Sequence, residues 1–237
     1  MSKIVNKPES NSFVFYCLLL IPTIFLCYEK NIIFFVVIVA MLLTSVIEIP
    51  VYIFRTKKPA YSDKEAECIG EIYGVPIVEE MQRDQGRWYK TRVTLNLGGF
   101  IIPLSFSLYL IRSFNPMASY PLPLLEVSMI TLLMVLFSYM LSEVKGGVGI
   151  LVPNYVGIFA IPLGFILAPS GLPVEQVARL LIFVPAILGI FVGMLILLVT
   201  RPREEVGSAF YNIGGIGSFH ALYLISFLAL LIGSIIV

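Results

Sequence analysis

The segment Asn96-Leu97-Gly98-Gly99-Phe100-Ile101-Ile102-Pro103-Leu104 places an asparagine and a glycine pair at the start of a long apolar run. The same order returns as Asn212-Ile213-Gly214-Gly215, and a third pair, Gly146-Gly147, precedes another apolar run. Glycine at the start of a membrane helix lets two backbones approach closely or lets the helix unwind, and asparagine there offers hydrogen bonds that lipid lacks. We therefore interpret these segments as the mouths of membrane helices.

The composition agrees with a membrane location. Of the 237 residues, 58% are hydrophobic and only 13% are charged, which excludes a water-soluble domain with a polar surface. The three cysteines have neither zinc-site spacing nor a disulfide framework. We expect the lipid bilayer as a partner, a small molecule or ion as a candidate substrate, and no nucleic acid, while the oligomeric state stays open.

Seven runs are long enough to cross a hydrocarbon core, which needs about 17 to 25 residues. They are Ser12 to Tyr28, Asn31 to Phe54, Leu95 to Ile111, Leu124 to Leu141, Val148 to Ala168, Val177 to Thr200 and Ile216 to Val237. Backbone groups in lipid must be satisfied within the segment, which favours helices. The predicted fold is an all-α integral membrane protein, a single polytopic domain over residues 1–237 with about seven transmembrane helices.

Positive charge predicts how the helices are oriented. With seven spans, the amino terminus shares a side with the loops after helices two, four and six, and these segments hold 13 of the 16 Lys and Arg residues. Short loops rich in Lys and Arg stay in the cytoplasm. We expect a multi-pass protein of the cell membrane, with a cytoplasmic amino terminus and with Val237 outside.

One polar insertion interrupts the apolar chain between helices two and three. It covers residues 56–94, Thr56 to Thr94, carries 14 of the 31 charged residues and is cytoplasmic on this topology. Cys68 to Ile72 and Val75 to Glu79 flank the turn pair Tyr73-Gly74, and Arg87 to Leu95 is rich in β-forming residues. The insertion is interpreted as a small β-flap or, equally well, as a solvated loop.

Few polar side chains lie inside the predicted spans, and each is a functional candidate because burying a charge in lipid is expensive. Glu48 lies about 9 Å before the cytoplasmic end of helix two at 1.5 Å per residue. Asn96, Asn154 and His220 fall in the cytoplasmic halves of helices three, five and seven. We hypothesise a cytoplasm-facing cleft lined by these four side chains.

The glycine pairs Gly98-Gly99 and Gly214-Gly215 belong to the same hypothesis. Helices that begin there point the positive ends of their dipoles at the cleft, where an anionic group could bind. The competing interpretation is that the glycines and asparagines only pack helices together, with Glu48 bonded to His220 or to the backbone.

Several kinds of chemistry find no support. The chain has no Walker loop, no His-Glu-x-x-His motif and no Gly-x-Ser-x-Gly elbow, and its lone histidine cannot supply a multi-histidine metal site. Its only aspartates, Asp63 and Asp84, lie in the polar insertion, so an intramembrane aspartyl pair is not expected. We predict no catalytic residue, no metal and no cofactor.

Three functions remain open. The first is a transporter-like protein that uses Glu48 and His220 to handle protons or cations. The second is a membrane-embedded enzyme, or an inactive relative of one, acting on a lipid or a membrane peptide. The third is a non-catalytic assembly subunit.

Five motifs together resemble a prokaryotic membrane family, domain of unknown function 1614. They are Asn96 to Leu104, Ser107 to Leu110, Ile47 to Pro50, Gly147 to Pro153 and Gly214 to His220. The resemblance covers residues 40–237 and implies a membrane fold without an assigned activity. The family pattern favours asparagine at the position of Glu48 and acidic residues near Leu195 and His220. If its members use a pair of membrane carboxylates, this chain has lost that activity or relocated it.

Overall fold

The computed structural model describes residues 10–27, 31–57, 88–114, 122–145, 149–200 and 210–235, together with Lys64, Glu67 and Cys68. These residues form seven helical segments and five strands. The helical segments are α1 (Ser10–Cys27), α2 (Ile32–Thr44), α3 (Leu97–Ser113), α4 (Leu124–Leu141), α5 (Val156–Ile166), α6 (Val174–Thr200) and α7 (Phe219–Ile235).

Three of these helices are irregular. The first turn of α3, Leu97–Ile101, is π-helical, and α6 contains a longer π-helical stretch, Val177–Phe183. The first turn of α5, Val156–Phe159, is a 3₁₀-helix. π-helical segments are rare and often mark functional positions.

The strands form two small sheets. They are β1 (Glu48–Lys57), β2 (Trp88–Asn96), β3 (Glu143–Lys145), β4 (Gly149–Leu151) and β5 (Phe210–Ile213). In the larger sheet, β2 lies between β1, to which it is antiparallel, and β5, to which it is parallel. The smaller sheet is the antiparallel hairpin β3–β4.

The second predicted helix is wrong beyond Thr44. The run Asn31 to Phe54 is apolar throughout, but only Ile32–Thr44 is helical, and β1 begins at Glu48. Pro50 lies in the strand beside a shift of register between Pro50 and Tyr52. Proline has no N–H to donate, and strands accommodate it at edges or bulges. Glu48 therefore lies on a strand and not on a helix.

The predicted start of the fifth helix is also wrong. Gly149–Leu151 is a strand, and the helical segment begins only at Val156. The glycine pair Gly146-Gly147 thus precedes a strand rather than a helix, and the pair itself lies outside the described residues. Similarly, α7 begins at Phe219, so Gly214 and Gly215 lie in the turn between β5 and α7.

Seven transmembrane helices are not supported. Among the described residues, two helices are long and apolar enough to cross a membrane, Leu124–Leu141 and Val174–Thr200. The apolar stretches of the other five are shorter, as in α1, where the stretch is Phe13–Cys27. Helix α2, with 13 residues, extends only about 20 Å at 1.5 Å per residue. The fold is therefore mostly helical with two candidate membrane spans and two small sheets.

The strands that pair near the polar insertion differ from those predicted for the β-flap. The β-rich stretch at Arg87 to Leu95 does form a strand, β2, but its partner β1 precedes residue 58. The expected hairpin at Cys68 to Glu79 lies, apart from Cys68, outside the described residues. The hairpin β1–β2 therefore emerges from α2 and leads directly into α3.

Helices α4 and α6 form a close contact along the body of the molecule. Gly189 and Gly193 of α6 face Met134 and Ser138 of α4, and a Cβ at Gly193 would lie 2.6 Å from the Ser138 Cβ. A Cβ at Gly189 would overlap the Met134 Cβ. The Ser138 hydroxyl donates to the Ile190 carbonyl at 3.4 Å. Small residues spaced in this way allow helix backbones to approach closely.

Candidate polar site at the helix mouths

The parallel strands β2 and β5 carry the two Asn-x-Gly-Gly segments to the same place. Thr94 of β2 lies opposite Asn212 of β5, and the next strand over, β1, pairs Glu48 with Asn96. Both β2 and β5 then run through glycine into helices α3 and α7. The repeated motif of the sequence is thus two adjacent strand-to-helix junctions.

Three side chains meet at these junctions. The Thr94 hydroxyl donates to Glu48 Oε2 at 3.3 Å, and the Asn212 amide nitrogen donates to Glu48 Oε1. Thr94 and Asn212 are buried, whereas Glu48 is half-buried. We call Glu48, Thr94 and Asn212 the junction cluster. Its carboxylate is held by two neutral donors from two other strands.

Asn212 is only partly satisfied. Its residue is 2% exposed, and its Oδ1 accepts no hydrogen bond from the part of the chain that the structure describes. Its side chain lies directly over the Cα of Gly215, where a Cβ would overlap the amide. Buried side-chain acceptors are usually paired, so an unpaired one needs an explanation.

Asn96 has a structural role. It caps the π-helical start of α3, because its Oδ1 accepts from the Gly99 N–H at 2.8 Å. Its amide nitrogen donates to the Ser45 carbonyl at 2.5 Å, which ties the end of α2 to the start of α3. Asn96 is fully buried. Both ends of its side chain are therefore used by the backbone.

The glycine pairs bring the two junctions into backbone contact. A Cβ at Gly99 would overlap the Gly214 carbonyl oxygen, and a Cβ at Gly214 would lie 2.6 Å from the Gly99 carbonyl carbon. Gly98 packs in the same way against the Met41 carbonyl. Gly214 also has a φ of +80°, a backbone angle that residues other than glycine rarely adopt. These glycines act first as packing positions.

The other two predicted cleft residues have different surroundings. His220, in the first turn of α7, is half-buried, and its Nδ1 lies 2.9 Å from the Tyr16 hydroxyl of α1. The Tyr16 ring also packs against Tyr223, with centroids 4.5 Å apart. Asn154 lies in an exposed turn between β4 and α5. The shared cleft of Glu48, Asn96, Asn154 and His220 remains a prediction.

Two members of the junction cluster were not among the predicted site residues. Asn212 belongs to the repeated motif, but the predicted site there includes only the glycines Gly214 and Gly215. Thr94 was visible only as the end of the polar insertion. Their proximity to Glu48 depends on the pairing of β1, β2 and β5, which no local pattern reveals.

Tyr211 is a buried titratable residue of β5, next to Asn212. Burial raises the pKa of Tyr211 to about 12, because the ionised phenolate is disfavoured away from water. Tyr211 therefore adds no charge at neutral pH. Among the described residues, no three His, Cys, Asp or Glu side chains lie together as metal ligands.

A second polar network lies at the opposite end of the helices. Asn31, just before α2, donates to the Gly233 carbonyl at 2.9 Å and to the Ser234 hydroxyl at 3.1 Å. Arg179 of α6 donates to Asn31 Oδ1 and forms a 2.6 Å ion pair with Glu175. This network joins the start of α2, the start of α6 and the end of α7.

The family description "Protein of unknown function (DUF1614)" matches residues 42–232, a range that includes the junction cluster and all four predicted cleft residues. No curated protein and no solved structure matches the chain. The match covers most of the 237 residues, and it agrees with the resemblance carried by the sequence motifs. The chain therefore belongs to the DUF1614 family of proteins of unknown function.

Proposed function

We propose that this chain is an integral membrane protein of the cell membrane that handles a small ion or solute in a transporter-like manner. The first support is the surface of α4. Only 22% of its residues are buried, yet the exposed ones are large and apolar, including Leu125, Leu132 and Met140 at 68%, 71% and 70% exposure. A helix that is apolar all round and exposed suits lipid.

The second support is the alternation of the chain between two ends. The strands gather at one end, where Val152 beside β4 donates to the Gly217 carbonyl at 2.7 Å. The network of Asn31, Arg179 and Ser234 gathers helix ends at the other. Helical segments that run back and forth between two polar ends suit a multi-pass membrane protein, and the cytoplasmic amino terminus rests on the distribution of Lys and Arg alone.

The observation that carries the transport proposal is the junction cluster itself. Glu48 lies near the end of α2 and near the starts of two further helices that follow glycine pairs, and its carboxylate accepts hydrogen bonds from two neutral donors. Transporters place their substrate and ion sites where helices are interrupted by irregular backbone, and a strand-to-helix junction is another such irregular place. His220 is a second titratable group near the start of α7.

The location is tested by extraction of membranes with alkaline carbonate. An integral protein stays in the pellet, whereas a peripheral one appears in the supernatant. Transport is tested with purified protein in liposomes that contain a pH-sensitive dye. Under an imposed pH gradient with sodium and potassium present, we expect wild-type vesicles to collapse the gradient faster than empty ones.

The matched variants are Glu48→Gln and Glu126→Gln. Both remove one carboxylate from a half-buried position, but only the first lies in the junction cluster. We expect Glu48→Gln to reduce the flux to the level of empty vesicles and Glu126→Gln to keep it. Equal flux through both variants, or no wild-type flux above that of empty vesicles, contradicts the proposal.

A further inference from the structure

We propose that the junction cluster is a binding site for a monovalent metal cation, with Glu48, Thr94 and Asn212 as its ligands. This inference rests on the proposed function in that it names the ligand of the same site. It is carried by one observation outside that proposal, the buried oxygen of Asn212 that has no partner among the described residues.

The geometry gives the Asn212 amide a reason to turn. Its nitrogen donates to Glu48 Oε1, while its oxygen makes no hydrogen bond within the described residues. Rotation of the amide by half a turn therefore breaks one hydrogen bond, and it moves the nitrogen to the place where the oxygen now has no partner among the described residues. It directs Oδ1 at the carboxylate, and two such oxygens attract each other only through a cation or a proton.

Thr94 can respond in the same manner. Its hydroxyl donates to Glu48 Oε2 at 3.3 Å, which is long for an O–H donor. A hydroxyl has two acceptor lone pairs and rotates freely about its C–O bond. When a cation binds, the proton turns away and the oxygen becomes a ligand. In the cation-free form the two donors occupy the carboxylate instead.

The charge of the cluster favours a monovalent cation. Calcium sites use six to eight oxygens and usually several carboxylates. The junction cluster supplies one carboxylate and two neutral oxygens. Within the described residues no group of three or more His, Cys, Asp or Glu side chains could hold a metal ion. A single carboxylate with two neutral oxygens suits a singly charged cation better than a doubly charged one.

The test measures thermal unfolding of the full-length protein in mild detergent. Chlorides of sodium, potassium, lithium and N-methylglucamine are compared at equal ionic strength. A cation that binds only the folded state raises Tm by about 5 °C at about 100-fold above Kd. We expect a saturable increase with at least one alkali metal over N-methylglucamine. Equal Tm values in all four salts overturn the proposal.

Variants assign the effect to the cluster. Glu48→Gln is nearly isosteric and removes the carboxylate, so we expect it to raise the Kd for the cation, taken from the dependence of Tm on cation concentration, at least tenfold. Thr94→Val and Asn212→Ala each remove a neutral ligand and serve as well if Glu48→Gln does not fold. Glu126→Gln is the matched control and keeps the response. A full response in folded Glu48→Gln protein overturns the proposal.

Binding and transport fail separately in these experiments. A cation-dependent Tm that is lost in Glu48→Gln, together with no flux in liposomes, supports the site and contradicts the transport function. Flux that continues at full rate when N-methylglucamine replaces every alkali metal, with no cation effect on Tm, contradicts the site and leaves the transport function standing.

Discussion

Asn96 and Asn154 have the same side chain but differ in burial, so a comparison of the two tests whether Asn96 has a structural role. Asn96 is fully buried and bonds to the Gly99 N–H and the Ser45 carbonyl, whereas Asn154 lies in an exposed turn. Loss of a helix cap costs about 1 kcal/mol, and each backbone group left unpaired in the interior adds about 1 to 3 kcal/mol.

We therefore expect Asn96→Ala to lower the free energy of unfolding by about 2 kcal/mol. Asn154→Ala should stay within about 0.5 kcal/mol of the wild type, as surface substitutions usually do. Denaturant unfolding followed by circular dichroism in detergent measures both. Equal losses in the two variants are incompatible with the capping role of Asn96.

Gly99 lies where one added carbon atom is expected to lower the stability of the protein. Its Cβ would overlap the Gly214 carbonyl oxygen, which is backbone and cannot rotate aside. At Gly233 the nearest atom to an added Cβ is the Ala178 Cβ at 3.3 Å, a contact that a slight shift relieves. The two glycines thus differ in what surrounds them, not in their chemistry.

Gly99→Ala is expected to cost about 3 kcal/mol, the upper end for overpacking. Gly233→Ala should cost less than about 1 kcal/mol, since alanine also favours the helix. Thermal unfolding of the two purified variants tests this. A Gly99→Ala protein as stable as wild type rules out the close approach of the two junctions.

Among the elements, α4 and α6 depend on a pair of glycines. Gly189 and Gly193 lie four residues apart in α6 and let its backbone approach α4 at Met134 and Ser138. In lipid such contacts replace the hydrophobic effect as the force that joins helices. The Gly-x-x-x-Gly spacing was present in the sequence, but an isolated motif in an apolar run does not identify its partner helix.

Gly193→Val should separate the two helices and cost about 3 kcal/mol, because the larger side chain meets Ser138 at less than contact distance. Val192→Ile adds one carbon to the neighbouring residue, which is 40% exposed, and should change stability by less than about 0.5 kcal/mol. Unfolding in detergent compares them. Similar losses at both positions contradict the packing.

The end of α2 illustrates how far elements can be predicted from sequence. Both α2 and the first half of β1 are apolar and rich in Val and Ile, so periodicity does not separate helix from strand in this run. Pro50 was a local signal of the break. What the sequence could not reveal is the pairing of β1 with β2, since that partner lies about 40 residues further along the chain.

At the level of the whole molecule, the orientation that the positive charges predict stays a prediction, whereas the predicted lengths of the helices are wrong. The segments assigned to one side of the membrane, which follow helices two, four and six, contain the strands that pair or contact one another. Charge bias acts on loops and does not depend on whether each helix is long enough to span alone. The short lengths of α2 and α5 could not be predicted from the sequence, because apolar residues of the neighbouring strands β1 and β4 lengthen the apolar runs in which these helices lie.

The predicted orientation is tested with single cysteines. In a background with Cys17 and Cys27 replaced by alanine, Cys68 is exposed in the polar insertion. Ser170, exposed between α5 and α6, gives the opposite end when it is changed to cysteine and Cys68 is also replaced by alanine. We expect a membrane-impermeant maleimide to label Cys68 only in inverted vesicles and Ser170→Cys only in intact spheroplasts.

The two labelling patterns are opposite because Cys68 and Ser170 lie at opposite polar ends of the molecule. A protein that spans the bilayer places these two ends on opposite sides. Labelling of both cysteines from the same side contradicts a membrane-spanning arrangement. Labelling from opposite sides but in the reverse sense keeps the bundle and rejects the cytoplasmic amino terminus. In that case the junction cluster with Glu48 faces the exterior, and cation binding has to be sought from that side.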